Sequence, residues 1–552
     1  MPDDNPLFSY SSGRFLYNEE TRLQERYMRF DVSALKNTIA THVVGHGNVR
    51  SIVKLSEGGF NRVLLATMED GFRAIVKIPF WISVPKMYAT ASEVATMTFL
   101  RSKGVPVPEV YGWSSTAENP VGVEYIIMEH APGVGADTRW FDTSKYQKKA
   151  LVTGIVDIEK KLFSMPFASV GSLYFRKDLP SRLQGELYQP GTLDEDCDAE
   201  TYCIGPIADY MFWYGQRAKL ELDRGPWSDP KQYLLAIAKK EIAWIERFGK
   251  PLEPDFPHNT VFPGVNSHQD YLELLRKYLA IAPYLLPKDT GNILNRPTLR
   301  HPGESPPSPF VLVEANLEDL TPGNVFVCPD TFNVTCIIDW QHTVVTPLLL
   351  TAGYPRLFEN PDPEPPTGLV PPKYPEGYDT MSPEDKAQID ELIRRQSLFY
   401  LYRVFNGGLN KVHLQALQDP LILSRQHLVD FAGRQWSGNL MTLRGALMGM
   451  RDIWPHVPGK DDGFECPIKF SKPEVEDQAE NQPMWYNLNA LVSHWRDQLG
   501  GLSEEGWVPN EQYDHAVKRN ESLKAEFAEG ASADELEKIK RGWPFQDREE
   551  FF

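Results

Sequence analysis

The sequence holds five cysteines in 552 residues, Cys197, Cys203, Cys328, Cys336 and Cys466, and no two stand as Cys-x-x-Cys. That scatter offers neither zinc-ligand spacing nor the disulfide framework of a small secreted domain, and it suits a reducing compartment. A basic surplus is also missing: Lys and Arg number 57 against 75 Asp and Glu, a formal net charge of −18. Nucleic acid and anionic membrane surfaces are therefore poor partners, because little is left over to neutralise phosphates. No apolar run approaches the roughly 18 residues of a spanning helix, and no internal repeat is visible. The opening Met1-Pro2-Asp3-Asp4-Asn5-Pro6 is acidic. Transit peptides are rich in Arg and poor in acids, so the location expected is cytoplasmic.

What is present is ordinary for a globular chain, 41% hydrophobic and 24% charged, with length for roughly two to four domains. Residues 1–50 read as a helical extension, with amphipathic stretches from Asn18 to Arg29 and from Val32 to His42. Three β-rich runs follow, Ser51–Leu55, Phe60–Thr67 and Phe72–Ile78, parted by Glu57-Gly58-Gly59 and Glu69-Asp70-Gly71. Turn residues between such runs predict an antiparallel meander. Pro85–Lys103 has a helical pattern, closed by Gly104 with Pro106 and Pro108 beyond it. Val110–Ser114 and Gly122–Met128 complete a β-β-β-α-β-β order, and Pro132-Gly133 marks a boundary. From about 137 onward the pattern is helical, with one exception: two β-rich runs at Asn324–Cys328 and Val334–Ile338. Residues 359–378, rich in Pro and Gly, read as a loop. Ser382-Pro383-Glu384 opens a helix to about Phe405, and the charged tail from 503 reads as surface-packed helix.

Several chemistry-bearing residues fall in one chain order. Gly58-Gly59-Phe60-Asn61 lies between two strands, where glycines let backbone N–H groups approach an anion; alone, it is a common hairpin turn. Lys77 stands in Ile75-Val76-Lys77-Ile78, 18 residues after Gly59. A lysine inside an apolar strand needs a partner, and Glu93 on the following helix is the acid within reach. Asp319 and Asn324 stand five positions apart, and Asp339 ends the second short strand fifteen residues after Asn324. Together these are the parts of a phosphoryl-transfer site. They offer a cradle and a cation for phosphates, oxygen ligands for magnesium, and a carboxylate to accept the proton of an attacking hydroxyl.

The set resembles the aminoglycoside phosphotransferase family, also called the phosphotransferase enzyme family, of the protein-kinase-like superfamily. The likeness runs over roughly residues 51–350. Phrases at Phe8–Phe15, Val121–Glu129 and Ile281–Tyr284 resemble its fungal subgroup, named for altered inheritance of mitochondria protein 9. The resemblance implies an α+β, bilobal protein-kinase-like fold. Residues 1–50 would be a helical extension, 51–131 a small antiparallel β lobe that binds nucleotide, and 132–552 a large, mainly helical lobe carrying catalysis and substrate, with a C-terminal helical extension. ATP and Mg2+ are the implied cofactors, and the hydroxyl of a small molecule the implied acceptor. Gly58, Gly59, Phe60 and Asn61 would cradle the phosphates, Lys77 would hold the α and β phosphates, and Glu93 would orient Lys77. Glu129 to Ala131 would bind adenine through their backbone, Asp319 would be the catalytic base, and Asn324 and Asp339 would hold the metal. The subgroup's name adds a mitochondrial location as the alternative. Two rivals are a nucleotide-binding pseudokinase with a non-catalytic role and a protein kinase. Against the second, Ile338-Asp339-Trp340 stands where Asp-Phe-Gly would, and no Ala-Pro-Glu follows.

The family pattern has a histidine two positions before the catalytic aspartate, and here that position is Leu317. Omitting Gly303–Glu318 would restore it, as Leu299-Arg300-His301-Pro302-Asp319-Leu320-Thr321-Pro322-Gly323-Asn324. Gly303-Glu304-Ser305 can be encoded with the donor-like GTGAGT, Ala315-Asn316-Leu317 with the branch-like CTAAC, and Glu318-Asp319 with a terminal AG. Residues 303–318 therefore read as a translated, retained intron or a gene-model error, with a genuine insertion before the catalytic loop as the alternative. On the intron reading His301 is displaced from Asp319, Leu317 takes its place, and activity falls. The pseudokinase reading rests on the same interruption.

Overall fold

Asp70 and Gly71 reverse the chain for local reasons: Asp70 Oδ1 accepts the Phe72 N–H at 2.9 Å, and Gly71 sits at φ +91. The computed structural model describes residues 5–141, 143–253, 255–257, 264–301, 321–362, 366, 368–461 and 463–549. A two-residue strand, β1 (Arg14–Phe15), comes first. Then come β2 (Val49–Glu57), β3 (Asn61–Met68), β4 (Arg73–Pro79), the helix Tyr88–Ser102, β5 (Val110–Ser114) and β6 (Tyr125–Glu129). These strands from β2 onward form a five-stranded sheet in the order β2-β3-β4-β6-β5, every pair antiparallel. Lys77 is paired with Val63 on one side and Ile126 on the other, so it lies in the central strand.

Both faces of this sheet are covered, which explains why β4 is apolar on both faces apart from Arg73 and Lys77. Side chains alternate: Ala74, Val76 and Ile78 join a core with Phe8, Met28, Phe30, Leu35 and Ile39 from the N-terminal segment. Ile75, with Ile126 and Met128, joins the opposite core, which holds Val94 and Met97 of the helix Tyr88–Ser102. The period of two thus sends Lys77 to the same side as Ile75, toward that helix. Gly104, at φ +70, ends the helix with Val105 donating back to Leu100 O.

The remainder is mainly helical, and the overall class is α+β. The helix Lys145–Ser164, capped by a reciprocal Ser144–Gln147 pair, packs along Pro383–Leu409. Pro230–Phe248, His268–Ile281, Ile422–Gly433 and Met441–Asp452 pack beside one another. Among the described residues no helix is long and apolar enough to cross a membrane.

Several expectations are corrected. After β7 (Val134–Gly135), the region beyond 137 holds more strands than the one expected pair: β8 (Ser172–Phe175), β9 (Tyr202–Gly205), β10 (Pro297–Leu299) and β13 (Val345–Pro347) join the expected β11 (Val325–Val327) and β12 (Val334–Ile337). None exceeds four residues, too short for alternation to stand out. The N-terminal extension is not all helix, because β1 pairs with β14 (Trp507–Val508). The tail does more than lie on the surface. Its Val508, Ala516, Leu523, Trp543 and Phe545 form a core with Leu488, Val492, Trp495 and Leu499 from the stretch before it.

Candidate functional site

The Lys77 ammonium donates to Glu93 Oε1 and to Asp339 Oδ1, each at 2.7 Å. Three distant stretches of chain therefore meet: the central strand, the helix against it, and the turn after β12. That turn is tightly built. Ile337 N–H donates to Pro106 O at 2.7 Å and Ile338 N–H to Asn324 O at 3.0 Å. Trp340, fully buried, donates from its indole to Ile337 O at 2.9 Å. Between these anchors Asp339 takes φ +64 and His342 φ +62, the left-handed region that non-glycine residues seldom enter.

Lys77 and Glu93 side chains are 5% and 3% exposed, whereas Asp339 is 48% exposed. Yet protein packs around Asp339 closely enough for desolvation to be the largest influence on it. A carboxylate crowded by protein but open on one side is on the floor of a cleft. Burial pulls the Lys77 ammonium down, but Asp339 and Glu93 outweigh it and hold its pKa above the ordinary value. Burial raises Glu93, and Lys77 offsets this only in part. Burial would raise Asp339 too, but Lys77 holds it below the usual carboxylate range. One ammonium serves two carboxylates, and the more open one is the more firmly ionised.

Asn324 ends the short turn Pro322–Asn324 and leads into β11, which pairs with β12 so that Val325 faces Ile337. Its carbonyl bond to Ile338 sets it beside the residue preceding Asp339. Asp319, Leu317 and the whole of Gly303–Glu318 lie outside the described residues. His301 lies just before them, 4% exposed, with Nε2 at 3.0 Å from Ile338 O and its ring centroid 4.7 Å from that of Trp340. His301 and Asn324 thus bind the carbonyl and the amide of one residue, Ile338, from either side of the interval.

Gly58 and Gly59 lie in the turn between β2 and β3, closed by Gly58 N–H donating to Asn61 O at 3.0 Å. Neither has positive φ, so they supply room and not a special conformation. A Cβ built on either would meet nothing within 4 Å. The turn is held at its base by Glu57. Its carboxylate accepts from Arg62 Nε at 2.7 Å, Ser11 N–H at 2.9 Å, and Ser11 and Ser12 hydroxyls at 3.2 Å. Burial would raise Glu57, but these donors keep it below the ordinary range. Phe60 packs against Tyr210 and His342, with centroids 5.0 and 5.6 Å apart. Asn61 Nδ2 donates to Gln341 Oε1, and Gln341 Nε2 to Ser83 Oγ, both at 2.6 Å. The expected turn therefore reaches across to the Asp339 segment.

Glu129 and Ala131 follow from β6. The Glu129 side chain turns toward Arg101 Nη1 (3.1 Å) and Glu109 N–H (3.0 Å), while Ala131 is buried. Pro132 O accepts from Thr335 of β12 at 2.6 Å, tying this connection to the Asp339 side of the cleft. Sequence reasoning missed Tyr210, Gln341, His342 and Ser83. Gln341 and His342 adjoin Asp339 and were in view as neighbours; Tyr210 and Ser83 carry no local signal.

Among the described residues no three or more His, Cys, Asp or Glu gather as a metal site. A divalent ion would have the Asp339 carboxylate and the Asn324 amide, hard oxygen donors suited to magnesium with several retained waters. An anion would meet open space at Gly58 and Gly59, where the Gly59 and Phe60 amides make no hydrogen bond among the described residues.

No family model matches the sequence. A subtelomeric hrmA-associated cluster protein of Aspergillus fumigatus is 32% identical over 532 residues, 90% of this chain and 97% of that one. Altered inheritance of mitochondria protein 9, mitochondrial, of Yarrowia lipolytica is 24% identical, over 93% of this chain and 86% of its own. A solved aminoglycoside phosphotransferase in a ternary complex with streptomycin and ATP is 13% identical with a TM-score of 0.35, covering 76% of this chain and 97% of that one. The chain belongs to the fungal family of the Aspergillus fumigatus subtelomeric hrmA-associated cluster proteins, to which altered inheritance of mitochondria protein 9 is a more distant relative.

Proposed function

We propose that the protein is an ATP-dependent kinase that phosphorylates a hydroxyl of a small molecule. The observation that carries this reading is Lys77 held between Glu93 and Asp339 at 2.7 Å from each, with Asp339 open to solvent on one side. In this reading the sheet of 51–131 and the helical remainder of 132–552 are the two lobes of a protein-kinase-like fold, and 1–50 is an extension. Lys77 holds the α and β phosphates, with Glu93 fixing its position. The turn Gly58-Gly59-Phe60-Asn61 offers backbone amides to phosphate oxygens. Glu129 to Ala131 present backbone groups to adenine. Asn324 and Asp339 hold magnesium, which when bound supplies neutralisation of the phosphate charge. Asp319 accepts the proton of the acceptor hydroxyl.

The test pairs binding with turnover. Asp339→Ala should abolish magnesium-dependent ATP binding in calorimetry, because the metal loses its one carboxylate. Unchanged affinity would move the metal site elsewhere. Purified protein is also assayed for ATP consumption against a panel of sugars, amino alcohols and polyols. The interruption of the histidine-aspartate spacing favours a second reading, a nucleotide-binding protein without turnover. Magnesium-dependent ATP binding with no consumption across the panel would select it. The relatives from Yarrowia lipolytica and Candida tropicalis are named as mitochondrial, and fractionation distinguishes that location from the cytoplasm.

A further inference from the structure

Two hydrogen-bond acceptors at this cleft have no partner among the described residues. His342 is 6% exposed, and its Nδ1 lies 2.8 Å from Ala208 O. A carbonyl only accepts, so Nδ1 carries the proton, and in the neutral ring Nε2 is left with a bare lone pair. Nε2 is buried and unpaired. Ser172 holds this tautomer's surroundings in place, donating to Thr343 O at 2.9 Å and accepting from Ala208 N–H at 3.0 Å. On the sheet side Asn61, 8% exposed, spends its amide N–H on Gln341 and leaves Oδ1 buried and unpaired. Buried polar atoms are almost always satisfied, so two orphans around one site call for an explanation.

Their chemistry narrows the ligand. Both atoms are acceptors, so an ionised phosphate, which brings only acceptors, does not satisfy them. An O–H donor does. Phe60 and Tyr210 both pack on the imidazole, with centroids 5.6 and 6.1 Å from it, and Phe60 adjoins the turn whose two glycines have open space beside them. A ligand that reaches Nε2 has to move Phe60 or Tyr210 aside.

We propose that His342 is a ligand-recognition residue whose Nε2 accepts a hydrogen bond from a hydroxyl of the bound small molecule, with Asn61 Oδ1, held beside it through Gln341, as a second acceptor. This rests on the kinase reading above. Two sources of the hydroxyl share this chemistry, the ribose of the nucleotide and the phosphate-accepting molecule, and the experiment separates them.

Wild type, His342→Leu and His342→Gln are first compared by thermal melting, so that only folded variants proceed; glutamine retains an acceptor oxygen. Calorimetry measures Mg-ADP, Mg-2′-deoxy-ADP and Mg-3′-deoxy-ADP. ATP-consumption assays measure KM for glycerol, myo-inositol, glucose and ethanolamine. One hydrogen bond corresponds to roughly a threefold to tenfold change in affinity. If the ribose is the donor, His342→Leu weakens ADP by that factor and leaves one deoxy-ADP unaffected. If the acceptor is the donor, KM for a hydroxyl compound rises by that factor while ADP affinity holds. In either case His342→Gln recovers part of the loss. A uniform loss for every ligand, or none for any, would mean that a water or nothing occupies Nε2 and would overturn the proposal. Failure of the kinase reading looks different: wild type would bind no Mg-ADP and consume no ATP, and with neither ligand bound this assignment falls too.

Discussion

At the scale of single residues, one ammonium between two carboxylates makes a measurable asymmetry. Lys77→Ala would strand Glu93, buried at 3% exposure, and removing one partner of a buried pair costs about 3–5 kcal/mol. Glu93→Ala leaves Lys77 its bond to Asp339 and should cost less. The double variant should fall short of the sum by about 1 kcal/mol or more in urea unfolding. Strict additivity would show that the two side chains do not act as a unit. Lys77, Glu93 and Asp339 were legible in the sequence because strand alternation and chain order point to them. The sharing of Lys77 was not, since Asp339 is 262 positions away and only the fold brings it near. His413, wholly buried, was also invisible to sequence reasoning. Its Nδ1 lies 3.1 Å from Asn406 Oδ1, and its Nε2 accepts the Gly353 N–H at 3.2 Å. A second proton on Nε2 would point at that N–H, and burial pulls the pKa down to about 3. The unfolded ring titrates near about 6.5. Between those values the unfolded chain binds more protons. Stability from this group is therefore complete above about pH 6.5 and falls as pH drops, by up to about 1.4 kcal/mol per pH unit. His413→Asn should flatten the unfolding free energy measured between pH 7 and pH 5 by about that slope. An unchanged slope would show that another group sets it.

At the scale of elements, the meander and its helix were readable because each turn carries its own residues: Asp70-Gly71 at one end, Gly104 at another. The paired two-residue strands β1 and β14 were not, because neither contains a pattern and each needs a partner 494 positions away, Arg14 with Val508. Gly13, just before β1, shows how close that pairing is. A Cβ there would lie 2.2 Å from Trp507 Nε1 and 2.6 Å from Val508 O. Gly13→Ala should destabilise the protein by about 1–3 kcal/mol through overpacking, read as a lower melting temperature; an unchanged one would show that the strands separate freely. The interval 303–318 poses the reverse problem, a stretch legible from its misfit. Its flanks, His301 and Asn324, both bind Ile338. Deleting Gly303–Glu318 should therefore keep Mg-ATP affinity and raise turnover, as the restored histidine-aspartate spacing braces the loop. A full-length transcript retaining these codons, with protein at least as active as the deletion, would refute the intron reading.

At the scale of the molecule, both ends of the described chain close behind the turn that faces the cleft. Ser11 and Ser12 hold Glu57 at its base. Asn510 Nδ2 donates to Ser11 O at 2.9 Å, Leu16 N–H to Gly506 O at 2.7 Å, and Asn18 exchanges hydrogen bonds with Asp547 and Arg548. Such contacts have an order in time. A ribosome delivers the N-terminal strap first and its partners around Gly506 and Arg548 last, after nearly five hundred residues. Chains fold as they emerge, so the sheet can form while its strap still lacks the tail. The base of the Gly58-Gly59 turn is thus among the final parts to be secured, and a chain halted before residue 500 would carry a formed sheet whose strap remains open to protease.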